Sequence, residues 1–292
     1  MGNKSIGEYI KCCRKNKKIS QVELAKGICT QATISNIESE TNLPSFYVLE
    51  KIAEKLEISL EAFYKQNSTK ESEIVAHLVV VDRYCEQFKH AKAYEYLDKN
   101  IKKSDIKSLS SSNKKRYYYF LGFTLLMEKD DLSGAKESFI KVLRIPSKLV
   151  IEDVLSLMSL GILFMKSGDS TTAKTFFYEC LELIDNQISI NDSNIRDVIK
   201  IYYNIAKFES MRENFQSAIN ICEKIIQIGI DFDTMFFLPA IIYELGFNLA
   251  QVGKIEAAID NYKVSYYLAE IRSNEMLKNV IKSDLKSLGV NL

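Results

Sequence analysis

Apolar residues recur at steps of three and four along most of this chain, which is the periodicity of helices that bury one face. In the first sixty residues the periodic runs are short. Ile6 to Lys17 forms one run, Pro44 and Ser45 open another, and a short final run covers residues 58–64. The pattern predicts an all-α chain that begins with a small head of short helices.

Two short helices joined by a tight turn are predicted in the stretch that starts at Ser20. Glu23 stands three residues after Ser20, the spacing of a capping box, so a helix is expected to begin at Gln21. Thr30 is placed to cap a second helix, whose apolar residues point inward. The residues of that second helix that are expected to face partly outward are small, polar and uncharged: Gln31, Ala32, Thr33, Ser35 and Asn36.

Side chains of this kind suit the edges of DNA bases. Gln and Asn can form paired hydrogen bonds to adenine in the major groove, and Thr and Ala can touch a thymine methyl group. An ordinary helical hairpin is the alternative interpretation. The stretch resembles the helix-turn-helix of the XRE, or lambda-repressor-like, family, in the run Ile-Ser-Asn-Ile-Glu at 34–38 and in Leu-Pro-Ser at 43–45.

The resemblance implies a five-helix head that binds double-stranded DNA. The residues expected to contact DNA are Lys17, Ser20, Gln21, Gln31, Ala32, Thr33, Ser35, Asn36 and Ser45.

Charge is unevenly distributed, although the chain carries a net charge of only +1. Residues 1–26 contain seven basic and two acidic side chains, whereas residues 27–66 contain three basic and six acidic ones. The basic patch lies on the first helix and just beyond it, where a helix-turn-helix domain would meet phosphates. Taken alone, such a run more often marks a solvated helix face.

Composition argues against several classes of protein. Hydrophobic residues make up 47% of the chain and there are only 3 prolines, which indicates an ordered, soluble and largely helical protein. The six cysteines form no Cys-x-x-Cys pair, so neither a zinc site nor a disulfide framework is expected. The neighbouring Cys12 and Cys13 could be redox-active, but packing explains them better.

Catalytic chemistry has no support in the residues. The chain has two histidines, His77 and His90, and shows neither a glycine-rich phosphate loop nor a recognised triad signature. We therefore expect no catalytic residues, no metal and no cofactor. Met1 to Lys18 is polar and basic, and no apolar run has the length of a membrane span, so a cytoplasmic protein without a membrane partner is expected.

Beyond a polar segment at 66–72, the chain becomes a series of predicted helix pairs. Gly161, Gly168, Ala173 and Phe177 stand at steps of 7, 5 and 4, and glycines 246 and 253, Ala258 and Tyr262 repeat those steps. This is the spacing of a tetratricopeptide repeat, in which small residues let two helices approach and the aromatic residue fills the joint.

Weaker copies occur around Gly122 and Asn204, each off the ideal step by one or two residues. The predicted organisation is a head at 1–66, a linker at 67–72 and a body at 73–292. Five helix pairs and a closing helix at 273–288 would form a right-handed superhelix with a concave groove. A chance helical bundle is the alternative.

An XRE-type head on such a body resembles the PlcR/NprR/Rgg/PrgX family of peptide-pheromone receptors of Gram-positive bacteria. The PlcR-like branch is favoured by the shortened turn Ile-Cys-Thr-Gln at 28–31, by Ile-Ala-Glu-Lys-Leu at 52–56 and by Phe-Tyr at 63–64. The resemblance implies a homodimer that binds inverted-repeat DNA and responds to a short signalling peptide held in the groove. The implied peptide-binding residues are Glu86, Phe88, Ile162, Lys200, Tyr203, Asn204, Glu244, Phe247 and Asn248.

Asn204 matches one of the asparagines that clamp the peptide backbone in that family, but other positions depart from the pattern. Ser159 stands where a second clamp asparagine is expected, and Glu244 stands where a neutral amide is expected. Residues 85–88 read Cys-Glu-Gln-Phe, where the branch carries basic residues. The groove is therefore expected to be less basic, and the expected ligand is a short apolar peptide of low acidic content.

Three function hypotheses remain from the sequence. The first is a peptide-responsive transcription factor, an activator of genes switched on at high cell density. The second is a repressor of phage or mobile-element type, whose helical body only dimerises or docks a protein partner. The third, an enzyme that acts through the groove, has almost no residue support.

Overall fold

The structure is a computed structural model that describes residues 6–39, 44–58 and 70–290, with Phe46 described in its backbone alone. Every regular element within these ranges is helical, which confirms the predicted all-α class. The predicted helix at 58–64 lies almost entirely outside the described residues, as does the first half of the predicted linker at 67–72. Residues 70–72, the second half of that linker, belong to a helix that begins at Lys70. The chain forms two compact units, Met1–Asn194 and Ile195–Leu292.

The first unit contains the head and a series of helix hairpins. The head helices are α1 (Ile6–Asn16), α2 (Gln21–Ala25), α3 (Gln31–Glu38) and α4 (Phe46–Leu56). The hairpins within residues 70–186 pair α5 (Lys70–Glu86) with α6 (His90–Asn100), α7 (Ser111–Thr124) with α8 (Leu132–Arg144), and α9 (Ile151–Lys166) with α10 (Ser170–Asn186).

The second unit continues the same plan. Its hairpins pair α11 (Ile195–Met211) with α12 (Phe215–Asp231), and α13 (Leu238–Gln251) with α14 (Ile255–Ile271), and α15 (Glu275–Ser287) packs against α14. None of the described helices is long and apolar enough to cross a lipid bilayer.

The head is built on a small apolar core to which each of its four helices contributes. Ile10 of α1, Leu24 of α2, Ile34 of α3 and Ile52 of α4 are all completely buried there. Burying a branched aliphatic side chain stabilises a fold by about 1.5–3 kcal/mol, so this core fixes the angle at which α2 and α3 meet. The predicted inward orientation of the apolar residues of α3 is confirmed.

The strongest repeats behave as their spacing predicts. A Cβ atom built on Gly161 would lie 2.9 Å from the Phe177 ring, and one on Gly246 would lie 3.0 Å from the Tyr262 ring. Glycine therefore allows the two helices of each hairpin to touch. Gly168 and Gly253 close the hairpins with φ angles of +83° and +80°, which glycine adopts without strain.

The weak copy at Gly122 is a true hairpin whose spacing is stretched by a local irregularity. A Cβ atom on Gly122 would lie 2.7 Å from the Phe139 ring, the same arrangement as in the strong copies. The step from Gly122 to Ala135 is one residue longer than that from Gly161 to Ala173. A π-helix at Leu125–Lys129, which holds more residues per turn than an α-helix, absorbs the extra residue.

The sequence pattern assigns the wrong residue to the small position of the repeat near Asn204. Ala206, not Asn204, is the completely buried small residue of α11. The step from Ala206 to Ala218 equals the step from Gly246 to Ala258, so alanine fills the position that glycine holds elsewhere. Asn204 then lies two residues before the small residue, on a part of α11 that is half-buried.

Candidate nucleic-acid interface and peptide groove

Helices α2 and α3 both begin at the caps that the sequence predicts. The Ser20 amide donates to the Glu23 carboxylate at 2.6 Å, and the Glu23 amide donates to the Ser20 hydroxyl at 3.1 Å, which completes a capping box. The Thr33 amide donates to the Thr30 hydroxyl at 3.2 Å. These bonds satisfy amides that helix ends leave unpaired, and so they fix the start of each helix.

A chain of side-chain hydrogen bonds joins the first residues of the two helices. The Gln31 amide donates to the Gln21 oxygen at 2.7 Å, and the Gln21 amide donates to the Glu38 carboxylate at 2.9 Å. Glu38 is buried and accepts two further bonds from the Arg14 guanidinium, at 2.5 and 2.8 Å. Gln31, which is exposed, is therefore held in position by a buried ion pair.

The Arg14–Glu38 pair changes the interpretation of the basic patch. Arg14 contributes to the positive charge of residues 1–26, but its side chain is buried, where it donates to the Glu38 carboxylate and, at 2.9 Å, to the Ile19 carbonyl. The exposed cations on and after α1 are Lys11, Lys15, Lys17, Lys18 and Lys26. Lys17 also forms an ion pair with Glu57 at 3.2 Å, in which both side chains are open to solvent.

The remaining predicted DNA-contacting residues are placed as follows. Ala32 and Asn36 are exposed on α3, and Ser35 is half-buried. Ser45 caps α4, where its hydroxyl accepts from the Val48 amide at 3.4 Å. The DNA contacts of all these residues stay predictions.

Thr33 departs from the expected outward position, because it is only 9% exposed. Its hydroxyl donates to the carboxylate of Asp192 at 3.1 Å, and the Thr30 amide donates to the same oxygen at 2.7 Å. Asp192 lies in the loop after α10 and is far from the head in sequence. The sequence does not predict this contact, since the run Asn-Asp-Ser-Asn at 191–194 contains no motif that indicates a distant partner.

The predicted peptide-binding residues of the second unit lie on α11 and α13. The Asn204 amide donates to the Lys200 carbonyl at 2.8 Å, and Lys200 pairs with Asp197 at 3.1 Å. The Tyr203 ring lies 5.5 Å from the Phe237 ring and 5.8 Å from the Lys207 ammonium. One face of α11 therefore combines lysine side chains, an aromatic ring and a partly accessible amide.

Glu244 and Asn248 are less accessible than the peptide-binding prediction requires, at 6% and 0% exposed. The Asn248 amide donates to the carbonyl and to the carboxylate of Glu244, at 2.7 and 3.2 Å. The Asn248 Oδ1 atom is buried without a hydrogen-bond partner in the described part of the chain. Burial, followed by the charge of Glu244, raises the pKa of Tyr203 well above its usual range. Phe247, which lies between Glu244 and Asn248 in sequence, is half-buried.

The predicted peptide-binding residues of the first unit are more open. Phe88 is 72% exposed, with a φ of +57°, and its ring lies 6.3 Å from that of His90. Glu86 and Ile162 are half-buried. The peptide contacts predicted for the residues of both units stay predictions.

The head matches a family model for a helix-turn-helix. The family model described as a helix-turn-helix, HTH_3, covers residues 10–63, which include α2, α3 and the capped turn between them. The match confirms the helix-turn-helix resemblance drawn from the motif of the head.

Solved structures with the same fold extend over nearly the whole chain. PlcR of Bacillus thuringiensis, in complex with the peptide PapR7 and DNA, is 20% identical, with 95% of this chain and 98% of that one covered and a TM-score of 0.64. The apo form of ComR of Streptococcus vestibularis is 16% identical, with 98% of each chain covered and a TM-score of 0.55. These likenesses confirm the predicted fold, a helix-turn-helix head followed by a helical tetratricopeptide-like body.

A relative with tetratricopeptide repeats supports the assignment of the body. A TPR repeat-containing protein of Methanocaldococcus jannaschii is 26% identical over an alignment of 210 residues, with 63% of this chain covered. The aligned region is 34% of that protein, so this chain spans about a third of its length.

Proposed function

We propose that this chain is a cytoplasmic transcription regulator that binds inverted-repeat DNA as a homodimer. A short signalling peptide in the tetratricopeptide groove would control its DNA binding. The observation that carries the proposal is the Gln21–Gln31 pair, held at 2.7 Å on the exposed edge of a helix-turn-helix domain.

DNA recognition is argued from the geometry of α3. An α-helix fits the major groove of B-DNA, and residues at the start of the second helix of the motif reach base edges. Gln31 is the first residue of α3, and its amide is already oriented by Gln21, so little side-chain entropy is lost when it meets an adenine. The exposed lysines of α1 would supply sequence-independent affinity for phosphates.

Dimer formation is proposed because a single short α3 reads few base pairs. Two copies related by a two-fold axis would read two half-sites about one helical turn apart, which gives the operator an inverted repeat. We further propose that binding activates transcription at high cell density, as the family resemblance implies.

Peptide control is proposed from the body. The PlcR structure contains the peptide PapR7 as well as DNA, and a second ComR structure, with 16% identity and a TM-score of 0.55, contains the signalling peptide XIP. In this chain α11 presents the half-buried Asn204, whose Nδ2 atom is bonded to its own helix, and we propose that its Oδ1 atom accepts from a peptide amide. Lys200 and Lys207 flank it on the same helix.

The test is a titration of the purified full chain with synthetic peptides from the ends of neighbouring small open reading frames. Binding of a peptide to the folded state alone raises the melting temperature, and a concentration of a hundred times the dissociation constant adds about 2.7 kcal/mol of stability. We expect at least one peptide to raise the melting temperature and to change DNA affinity. A chain that binds DNA but responds to no peptide would instead fit a repressor whose body only dimerises.

Asn204→Ala should abolish the peptide response and leave the fold intact. Asn261→Ala is the matched control, because the Asn261 amide makes the same bond to the carbonyl four residues earlier, at 2.8 Å, and Asn261 is half-buried on α14 as Asn204 is on α11. Equal peptide responses in the two variants would remove Asn204 from the site. Comparison of an acidic with a neutral peptide tests the expected preference, which tighter binding of the acidic one would contradict.

A further inference from the structure

The N-terminus of α3 receives a carboxylate from a distant part of the first unit. One oxygen of Asp192 accepts from the Thr30 amide at 2.7 Å and from the Thr33 hydroxyl at 3.1 Å. More than 150 residues separate the two partners in sequence. The contact is not a local cap, because the Thr30 hydroxyl already performs that role for the Thr33 amide.

The loop that carries Asp192 is held by its own hydrogen bonds. The Asn191 amide donates to the Asn194 side chain at 2.9 Å, and the Ser193 amide donates to the Asn191 side chain at 3.0 Å. Asp192 is therefore presented from a folded turn, which lowers the entropy lost when its carboxylate meets α3.

The chemistry at this end of α3 is that of an oxyanion site. An amide N–H, a hydroxyl and the positive end of a helix dipole converge on one negatively charged oxygen. A phosphate oxygen of DNA has the same requirements, and helix N-termini are among the groups that bind the DNA backbone.

We infer that the start of α3 is a phosphate-binding site for the DNA backbone, and that Asp192 occupies it in the DNA-free chain. Carboxylate and phosphate would then exclude one another, because both need the Thr30 amide and the Thr33 hydroxyl. The inference rests on the DNA-binding part of the proposed function and assigns Thr30 and Asp192, which neither the motif nor the repeat pattern identified.

The position of the loop strengthens the competition. Gln31 and Ala32, which follow Thr30, form the first turn of α3, the end of the helix that has to enter the major groove. A loop bound at this end stands beside the base-reading residues. Asp192 is also close enough to affect Cys29. The pKa of the Cys29 thiol is raised to about 12, chiefly by burial and then by the charge of Asp192.

The test uses the full chain and a random-sequence DNA duplex at low salt, because a phosphate site needs no operator. Fluorescence anisotropy should show that Asp192→Ala binds the duplex roughly tenfold more tightly than the wild-type chain, the size expected for loss of a competing charge-assisted contact. Asp260→Ala is the matched control, since it removes the same charge from an exposed position on α14.

Equal gains in Asp192→Ala and Asp260→Ala would show a general charge effect and would overturn the inference. Thr33→Val, made in the Asp192→Ala background, removes the hydroxyl donor without changing the shape of the side chain. It should weaken DNA binding several-fold, and unchanged binding would also overturn the inference. If no variant binds DNA, the DNA-binding function itself fails; if wild type and Asp192→Ala bind equally well, the competition alone fails.

Discussion

The Nε2 atom of Gln31 lies 2.7 Å from the Oε1 atom of Gln21, which joins the first residue of α3 to the first residue of α2. Gln21 in turn donates to Glu38 at the other end of α3. Gln31, which we propose to read a base, is thus oriented by a hydrogen-bond network that reaches the buried Arg14–Glu38 pair, rather than by its own rotamer preference.

Gln31→Ala should relax base preference and weaken binding to a specific site by about 1–3 kcal/mol, the usual worth of a paired base contact. Gln21→Ala should lose part of the same binding free energy, because the Gln31 side chain would no longer be oriented by its hydrogen bond to Gln21. The two losses should be less than additive in the double variant, since both act through one contact. Gel-shift titrations on specific and random DNA measure all three variants.

Lys17→Ala should weaken binding to all DNA sequences alike and flatten the dependence of binding on salt, because it would remove the phosphate contact that we propose for Lys17. Its ion pair with Glu57 is exposed and contributes little to stability, so the fold should be unaffected. Losses of the same size for Lys17→Ala and Gln31→Ala on both kinds of DNA would contradict the division between phosphate and base contacts.

Glu38→Gln should lower the melting temperature of the head at neutral pH. Burial alone would raise the pKa of Glu38, but hydrogen bonds from Arg14 and Gln21 outweigh it and hold the pKa below 4.5. Because the folded pKa is lowered, this stabilisation is present above pH 4.5 and is lost as pH falls through the folded pKa. Truncating a buried charged hydrogen bond typically costs about 1.5–3 kcal/mol.

Thermal unfolding of the full chain at pH 7 and at pH 3 checks this dependence. The difference between wild type and Glu38→Gln should shrink at the lower pH. Glu54→Gln is the control, because Glu54 forms an exposed pair with Lys51 at 2.7 Å. Destabilisation by Glu54→Gln as large as that by Glu38→Gln would show that burial of the pair is irrelevant.

Gly161→Ala should destabilise the α9–α10 hairpin. The added methyl would meet the Phe177 ring at 2.9 Å, and Phe177 is almost completely buried, so a shift of its ring would disturb the packing around it. Overpacking of this kind costs about 1–3 kcal/mol, which exceeds the gain of about 0.8–1 kcal/mol in helix propensity. Ser170→Ala, at an exposed position of the same hairpin, should leave the melting temperature nearly unchanged.

The thiol of Cys29 should react slowly with iodoacetamide at pH 8, because its pKa is raised to about 12 by burial and by Asp192. Asp192→Ala should speed this reaction by removing the charge. Cys12, on α1, serves as the internal reference, and a parallel change in its rate would indicate general loosening of the head.

The local features of this fold follow from the sequence, whereas contacts between distant segments do not. The caps at Ser20 and Thr30 and the glycines at 161 and 246 have fixed short spacings, so the chain itself reveals them. The repeats that contain Gly122 and Ala206 are less regular in sequence, because a π-helix lengthens the first and alanine replaces glycine in the second. The contact of Asp192 with α3 could not be predicted from the sequence, since only folding brings residues so far apart in the chain together.

Selection of DNA from a randomised duplex library by the purified full chain tests the central claim most directly. It should be carried out with and without peptides from neighbouring small open reading frames. The account predicts enrichment of an inverted repeat, and a change in the amount of DNA recovered when the cognate peptide is present. In Gln31→Ala, the base preference at one position of each half-site should be lost. Recovery of no preferred sequence under either condition would contradict it.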